Sequence, residues 1–283
     1  MRLLDYIGDV FSQSGEDGVI AKILETLPRT DKWCVEFGAW DGEYLSNTRH
    51  LIKDKGYSGV LIEGGADKYR DLLKRYGGDS RVHCLQGFVG FSAADSLDVY
   101  LQRTPIPRDF DLLSIDIDGN DYHVWKAVAL YQPKAVVIEF NPTVPTECEF
   151  VQPPDETLSQ GCGLLPLVKL GKEKGYELVA TTLTNAFFVR AEYLPLFGIP
   201  DNRPAFLRED SSRVAHLFSG YDGTLFVQGF DRSVWNDIPY AWRLHQIPKA
   251  FRIYVGNMGP VRRFLFDRYY AWLKFLAGLR GQS

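Results

Sequence analysis

The chain has 283 residues, 45% hydrophobic and 24% charged, with 32 Lys and Arg against 36 Asp and Glu and a formal net charge of −4. This composition suits a globular protein with a core of ordinary size and lacks the basic excess of a dedicated nucleic-acid binder. No run of about 18 apolar residues is present to cross a bilayer. Charges interrupt the N-terminal MRLLDYIGDVFSQSGEDG where a signal peptide needs an apolar block, so a cytoplasmic location is expected.

SQSGEDG (12–18) reads as a helix opening, with Ser12 or Ser14 and Glu16 available for a cap. KWCVEFGAWDG (32–42) is a short apolar strand that ends in a glycine-rich turn, and the spacing predicts a helix over 46–56. The turn spells Glu36-x-Gly38-x-x-x-Gly42. A dinucleotide-binding turn needs glycine where Trp40 stands, so a pyrophosphate is poorly accommodated. An acidic residue two before the first glycine suits a cationic ligand. S-adenosylmethionine, with its sulfonium and amino group and no phosphate, fits that description.

The strand GVLIEGG (59–65) ends in Glu63, which can take both ribose hydroxyls of a nucleoside. An amphipathic helix follows over 66–78, with Tyr69, Leu72, Leu73 and Tyr76 on one side. At the exit of the next strand, CLQGFVG sets Gln86 and Gly87 where an adenine edge would lie. A helix over 93–103 leads to the strand FDLLSID (110–116).

That strand runs into Asp116, Asp118 and Asp121, with His123 on the first turn of the helix predicted over 121–131. Carboxylates this close repel one another unless a cation or hydrogen-bond donors offset them. The spelling is not an EF-hand loop, which follows a helix and has glycine sixth; here glycine is fourth and a strand precedes. The strand KAVVIEFN (134–141) brings Glu139 and Asn141 to the same sheet edge. Asp116, Glu139 and Asn141 are thus candidate oxygen ligands for Mg²⁺ or another divalent cation. In the competing reading Asp118 and Asp121 cap the next helix, Asp116 meets the cofactor's cationic end and no metal binds. His123 is a candidate general base, with Asp116 and Asp118 beside it in the catalytic set. The other histidines, His50, His83, His216 and His245, fall in scaffold or in the C-terminal tail.

Residues 141–161 hold four prolines and form a long loop. A helix over 163–175 and two closely spaced strands, 176–183 and 185–191, complete the alternating part, and the short gap permits only an antiparallel hairpin. The four cysteines, Cys34, Cys84, Cys148 and Cys162, have no zinc spacing, and a disulfide is not expected. Beyond 191 the rhythm is lost until RRFLFDRYYAWLKFLAGLR (262–280). Its apolar residues recur at helical spacing beside five basic ones, which suits packing on the domain or a partner chain, or an anionic membrane surface.

In combination and order, SQSGEDG (12–18), VEFGAWDGEYLSNT (35–48), GVLIEGG (59–65), LLSIDIDGNDYHVW (112–125) and VVIEFN (136–141) resemble the FkbM-type S-adenosylmethionine-dependent methyltransferases. The resemblance covers residues 10–190 and implies an α/β fold: a Rossmann-like seven-stranded sheet with helices on both faces and the last strand antiparallel. It implies methyl transfer to oxygen, often on a sugar hydroxyl of a polysaccharide or natural product. By position it assigns the turn from Gly38 to Gly42 and Glu63 to the cofactor; Gln13 and Asp17 are then expected to cover its methionine end, and Glu36, Asn47, Gln86, Gly87 and Asp116 complete the expected cofactor set. Asp116 also stands where metal-dependent O-methyltransferases of this fold place a ligand. The expected organisation is a methyltransferase domain over 1–191 and an extension over 192–283, with the acceptor walled by the loops after 141 and 191. The rivals are an NAD(P)-dependent oxidoreductase and a non-catalytic module that binds a membrane or another copy through 262–280.

Overall fold

The structure, a computed structural model, describes residues 1–234, 237–240 and 247–280. His245 and residues 281–283 of the predicted extension lie outside the described residues. The chain divides into two compact units, Met1–Ser211 and Ser212–Ser283.

Five short strands of the first unit follow one another with helical connections: β1 (Trp33–Phe37), β2 (Ser58–Glu63), β3 (Val82–Gln86), β4 (Leu112–Ile115) and β5 (Ala135–Glu139). Four of them are compact apolar runs because helices cover both sheet faces, so residues of either parity need to be apolar. On one face Val35, Phe37, Ile62, Leu113, Ile115 and Ile138 pack with Trp125, Leu164 and Leu167. On the other, Cys34, Leu61, Leu112, Val137 and Phe187 pack with Val19, Ile20, Ile23, Ile52 and Leu72. The helices that supply these side chains are α1 (Glu16–Thr26), α2 (Arg49–Asp54), α3 (Ala66–Tyr76), α5 (Asp121–Ala127) and α6 (Leu164–Glu173), while the short α4 (Leu97–Leu101) precedes β4.

The hairpin β6 (Tyr176–Thr181) and β7 (Asn185–Arg190) then enters the sheet. The strand order is β3-β2-β1-β4-β5-β7-β6, with β7 antiparallel to both neighbours and the other pairs parallel. This is the Rossmann-like seven-stranded sheet that the sequence implies. The order reverses at β1 and β4, the switch point at which ligands bind outside the carboxyl ends of the strands in open α/β sheets.

Two local features differ from the sequence expectation. Helix α5 stops at Ala127 rather than running on to 131. Asp98 of α4 is buried, and its Oδ2 accepts the N–H groups of Ala129 and Leu130 at 2.8 and 3.0 Å, so these amides leave the helical ladder. Residues 192–211 belong to the first unit: Phe197 of α7 (Leu194–Phe197) is buried in the core, and Arg208, just past α8 (Pro204–Leu207), is buried as well.

The second unit contains the hairpin of β8 (Ala215–Ser219) and β9 (Leu225–Gly229) and the 21-residue helix α9 (Pro260–Arg280). Phe251 packs against Phe266 and Tyr269 of that helix, with ring centroids 5.9 Å apart in each case. Among the described residues no helix is long and apolar enough to cross a membrane.

Candidate active site

Strand register builds the site. Ile115 of β4 pairs with Phe37 of β1 and with Ile138 of β5, so the next residues, Gly38, Asp116 and Glu139, form a row at the carboxyl edge. Glu139 pairs in turn with Asn185 of β7. Gly38 and Gly42 have φ of 69° and 71°, the left-handed region that favours glycine. A Cβ on Gly38 would come 2.5 Å from the Asp116 carbonyl oxygen, and one on Gly42 would come 2.5 Å from the Tyr76 ring. The turn therefore approaches β4 as closely as backbone allows.

Glu36, in β1, is buried and saturated with donors. Its Oε2 accepts the hydroxyls of Ser46 and Thr48 at 2.6 and 2.7 Å, and its Oε1 accepts the Asn47 N–H at 2.9 Å. Asn47 in turn donates its amide to Ser114 of β4. Glu36 thus shapes the loop around the glycine turn, and burial raises its pKa against these donors. Glu63 is held from two sides: Trp40 donates its N–H to Oε2 at 2.9 Å and Gly65 donates to Oε1 at 2.6 Å. Each oxygen keeps a second lone pair, so a pre-oriented bidentate acceptor ends β2. Beside it, Phe88 packs on Gly64 and leaves 78% of its surface exposed. Gln86 is exposed at the tip of β3, and Gly87 donates its N–H to the Glu63 carbonyl at 3.0 Å.

Asp121 organises the loop after β4. Its Oδ1 accepts the Ile117 N–H and its Oδ2 the Gly119 N–H, both at 2.9 Å. These amides flank Asp118, which is thereby held at φ +58°, a costly conformation for a non-glycine residue and one often kept at functional sites. In this shape the carboxylate oxygens of Asp116, Asp118 and Glu139 lie within 4.8 Å of one another.

Burial pushes the Asp116 carboxyl well above its ordinary range, and the charges of Asp121, Asp118, Glu36 and Glu16 push it further. Glu139 is raised for the same reason, by burial first and then by Asp116, Asp121 and Asp118, with a hydrogen bond to Asp116 adding to the rise. Asp121 is raised by burial against its backbone donors.

Asp17 adds an unsatisfied acceptor. Its Oδ2 takes the N–H groups of Val10, Phe11 and Ser12 at 2.7–2.8 Å, while its buried Oδ1 has no partner. Its charge also raises Glu36. Gln13 is exposed on the same loop. Asn185 Oδ1 is likewise buried without a partner, opposite Glu139 in the sheet. Such orphans are rare inside proteins and invite a ligand donor.

Two expected residues are engaged elsewhere. Asn141 Oδ1 accepts from the N–H and hydroxyl of Thr143 at 2.9 and 2.7 Å, and its amide donates to the Gln160 carbonyl, so its side chain is committed to the proline-rich loop. The carboxylate that joins Asp116 and Glu139 is Asp118. His123 donates through Nε2 to the Gln152 carbonyl at 2.8 Å, beside the Phe91 and Tyr122 rings, and so pins the same loop. Buried Gln152 completes the attachment with bonds to Asn120, Leu158, Gln160 and Gly161. Arg208 holds the loop's start, donating to the carbonyls of Val144 and Pro142 at 2.7 Å.

Sequence reading passed over Phe88, Glu16 and Asn185. Phe88 had a signal, an aromatic directly after the third strand's glycine. Asn185 had none, because its place opposite Glu139 comes from hairpin register. Glu16, read only as a cap, accepts a hydrogen bond from the Thr182 hydroxyl at 2.7 Å, in the turn that leads into Asn185 beside Glu139.

No protein-family model and no curated protein sequence matches the chain. Solved structures share a general likeness. The N-terminal domain of EvdMO1, crystallised in the presence of SAH and D-fucose, is 12% identical with a TM-score of 0.38, over 62% of this chain and 80% of that one. The CurJ carbon methyltransferase is 12% identical with a TM-score of 0.41, over 64% of this chain and 56% of that one. A SAM dependent methyltransferase from Aquifex aeolicus is 12% identical with a TM-score of 0.36, over 60% and 87%.

Proposed function

We propose that this chain transfers a methyl group from S-adenosylmethionine to a hydroxyl oxygen of a sugar. One observation carries the reading: at the switch point of the sheet, carboxylate oxygens of Asp116, Asp118 and Glu139 gather within 4.8 Å of one another. A pyrophosphate brought to that edge would be repelled, which disfavours an NAD(P) enzyme, whereas a sulfonium and an ammonium would relieve the crowding. Glu63 would take the ribose hydroxyls, the exposed Phe88 ring would stack with adenine, and Asp17 Oδ1 would accept from the α-ammonium group.

When bound, S-adenosylmethionine would supply an electrophilic methyl group to the acceptor oxygen, its S–C bond breaking to leave a neutral thioether. The acceptor's proton passes to a carboxylate, for which Asp118, exposed beside Asp116, is the best placed. Alignment of sulfur, methyl and oxygen supplies most of the acceleration. Asp116, Asp118 and Glu139 also suit a hard divalent cation, since each offers a carboxylate oxygen to a common centre. Such a cation would bind the acceptor hydroxyl and lower its pKa. A sugar acceptor is favoured by the aromatic rings of the glycine turn, with Trp40 and Tyr44 exposed 5.4 Å apart.

Calorimetry with S-adenosylmethionine, its demethylated product and NAD(P) tests the reading. Binding of the first two and not the third supports it. Stabilisation by NAD(P) alone would end it.

A further inference from the structure

Helix α9 has two apolar faces. Phe266, Tyr269, Leu273 and Leu276 form the half-buried one, and Phe266 and Tyr269 meet Phe251. Val261, Phe264, Leu265, Trp272 and Phe275 form a second stripe, at steps of i, i+3, i+4, i+11 and i+14, and all five are exposed, Val261 by 74% and Phe275 by 65%. Arg268 sits at the middle of that stripe with its guanidinium over the Phe264 ring, 5.4 Å from the centroid. Lys274 lies over Tyr270 at 4.7 Å. Arg263 pairs with Asp267, the single acidic residue of the helix, while Arg262, Arg268 and Lys274 add positive charge to a chain that is negative overall.

We propose that α9 binds the surface of an anionic membrane, with the stripe from Val261 to Phe275 in the acyl–headgroup boundary and its basic residues on lipid phosphates. The helix has the features of an interfacial segment: a strongly aromatic face, modest overall hydrophobicity and an excess of Lys and Arg whose stems can extend toward the headgroups. It is not apolar enough to cross the bilayer. Pairing of two copies through this stripe is disfavoured by charge, because a two-fold contact about its midpoint brings Arg268 against its own equivalent. An anionic surface turns the same arginine into an attractive contact. The surface function is separate from methyl transfer and stands or falls independently of it.

The test is co-sedimentation of the full chain with vesicles of phosphatidylcholine containing phosphatidylglycerol, and with vesicles of phosphatidylcholine alone. Binding is expected to the anionic vesicles only, and to weaken as salt is raised. Phe264→Glu with Phe275→Glu should lower the partition coefficient about a hundredfold. Arg268→Gln and Lys274→Gln should each lower it about fivefold, and they keep the helix intact if the double variant misfolds. Absence of binding to anionic vesicles, equal binding to both kinds, or a dimer that Phe264→Glu dissociates without any vesicle binding overturns the proposal.

Discussion

A carboxylate oxygen of Asp116 and one of Glu139 lie within 4.8 Å of each other at the tips of adjacent parallel strands, one residue past the paired Ile115 and Ile138. Buried carboxyl groups this close resist ionising together, so the pair retains a proton where an exposed carboxyl would have lost it.

A pH dependence of stability follows. Asp116, Glu139, Asp121 and Glu36 all have folded pKa values raised above ordinary ones, so the folded chain binds more protons than the unfolded chain in the window between them. This contribution is fully present below the ordinary values of 3.8 and 4.5 and is lost as pH rises through the raised ones. Carboxylates held low, such as Asp79 beside Arg81, titrate below this window. The melting temperature should therefore fall as pH rises above the ordinary carboxylate range and through the raised values. Asp116→Asn should flatten the profile and stabilise the protein at pH 8 by about 0.5–2 kcal/mol, while it abolishes methyl transfer. A melting temperature that rises over this range would contradict the account.

Glu63→Gln keeps the shape of the side chain but removes one acceptor and the charge. Loss of a charged hydrogen bond to a ribose hydroxyl should weaken S-adenosylmethionine binding by about 1.5–3 kcal/mol, or roughly 10–150-fold. Calorimetry reads this directly. Trp40 and Gly65 donate to different oxygens of Glu63, so one of these amides loses its acceptor, and circular dichroism checks that the turn keeps its fold.

The sheet was legible because central parallel strands are buried on both faces, which compresses β1, β2, β4 and β5 into short apolar runs. The β6–β7 hairpin was legible because three residues cannot carry a crossover. Asn141 was misleading, since an asparagine can also accept the N–H of the residue two positions on, and here its Oδ1 takes that of Thr143. The Glu139–Asn185 pairing left no local signal, because strand register between distant segments is set by packing. The place of Phe197 and Arg208 in the first unit was hidden for the same reason: an isolated phenylalanine or arginine in an aperiodic stretch carries no period to read.

Cation dependence tests the acidic trio. If Asp116, Asp118 and Glu139 hold a divalent cation, treatment with EDTA should lower kcat at least tenfold, and Mg²⁺ should restore it. Asp118→Asn should then raise the Mg²⁺ concentration needed for half-maximal activity, with S-adenosylmethionine affinity nearly unchanged. Full activity after chelation would remove the metal and leave Asp118 as a proton acceptor alone.

The proline-rich loop offers a test of what His123 does. Its Nε2 donates to the Gln152 carbonyl, in a network that also fixes Asn120 and the loop's return at Gly161. A residue that holds a loop and a residue that removes a proton fail differently. His123→Asn removes the imidazole but leaves a donor amide, and it should change kcat less than about threefold while raising KM for the acceptor; a catalytic base would instead cost 10²–10⁴-fold in kcat. Arg208→Met is the companion variant, since it strips the carbonyls of Pro142 and Val144 of their donor without touching α5. It should destabilise the fold by about 1–3 kcal/mol and raise the same KM. If His123→Asn abolishes turnover at saturating acceptor while Arg208→Met leaves kcat intact, the histidine takes part in the chemistry and the loop-holding role is wrong.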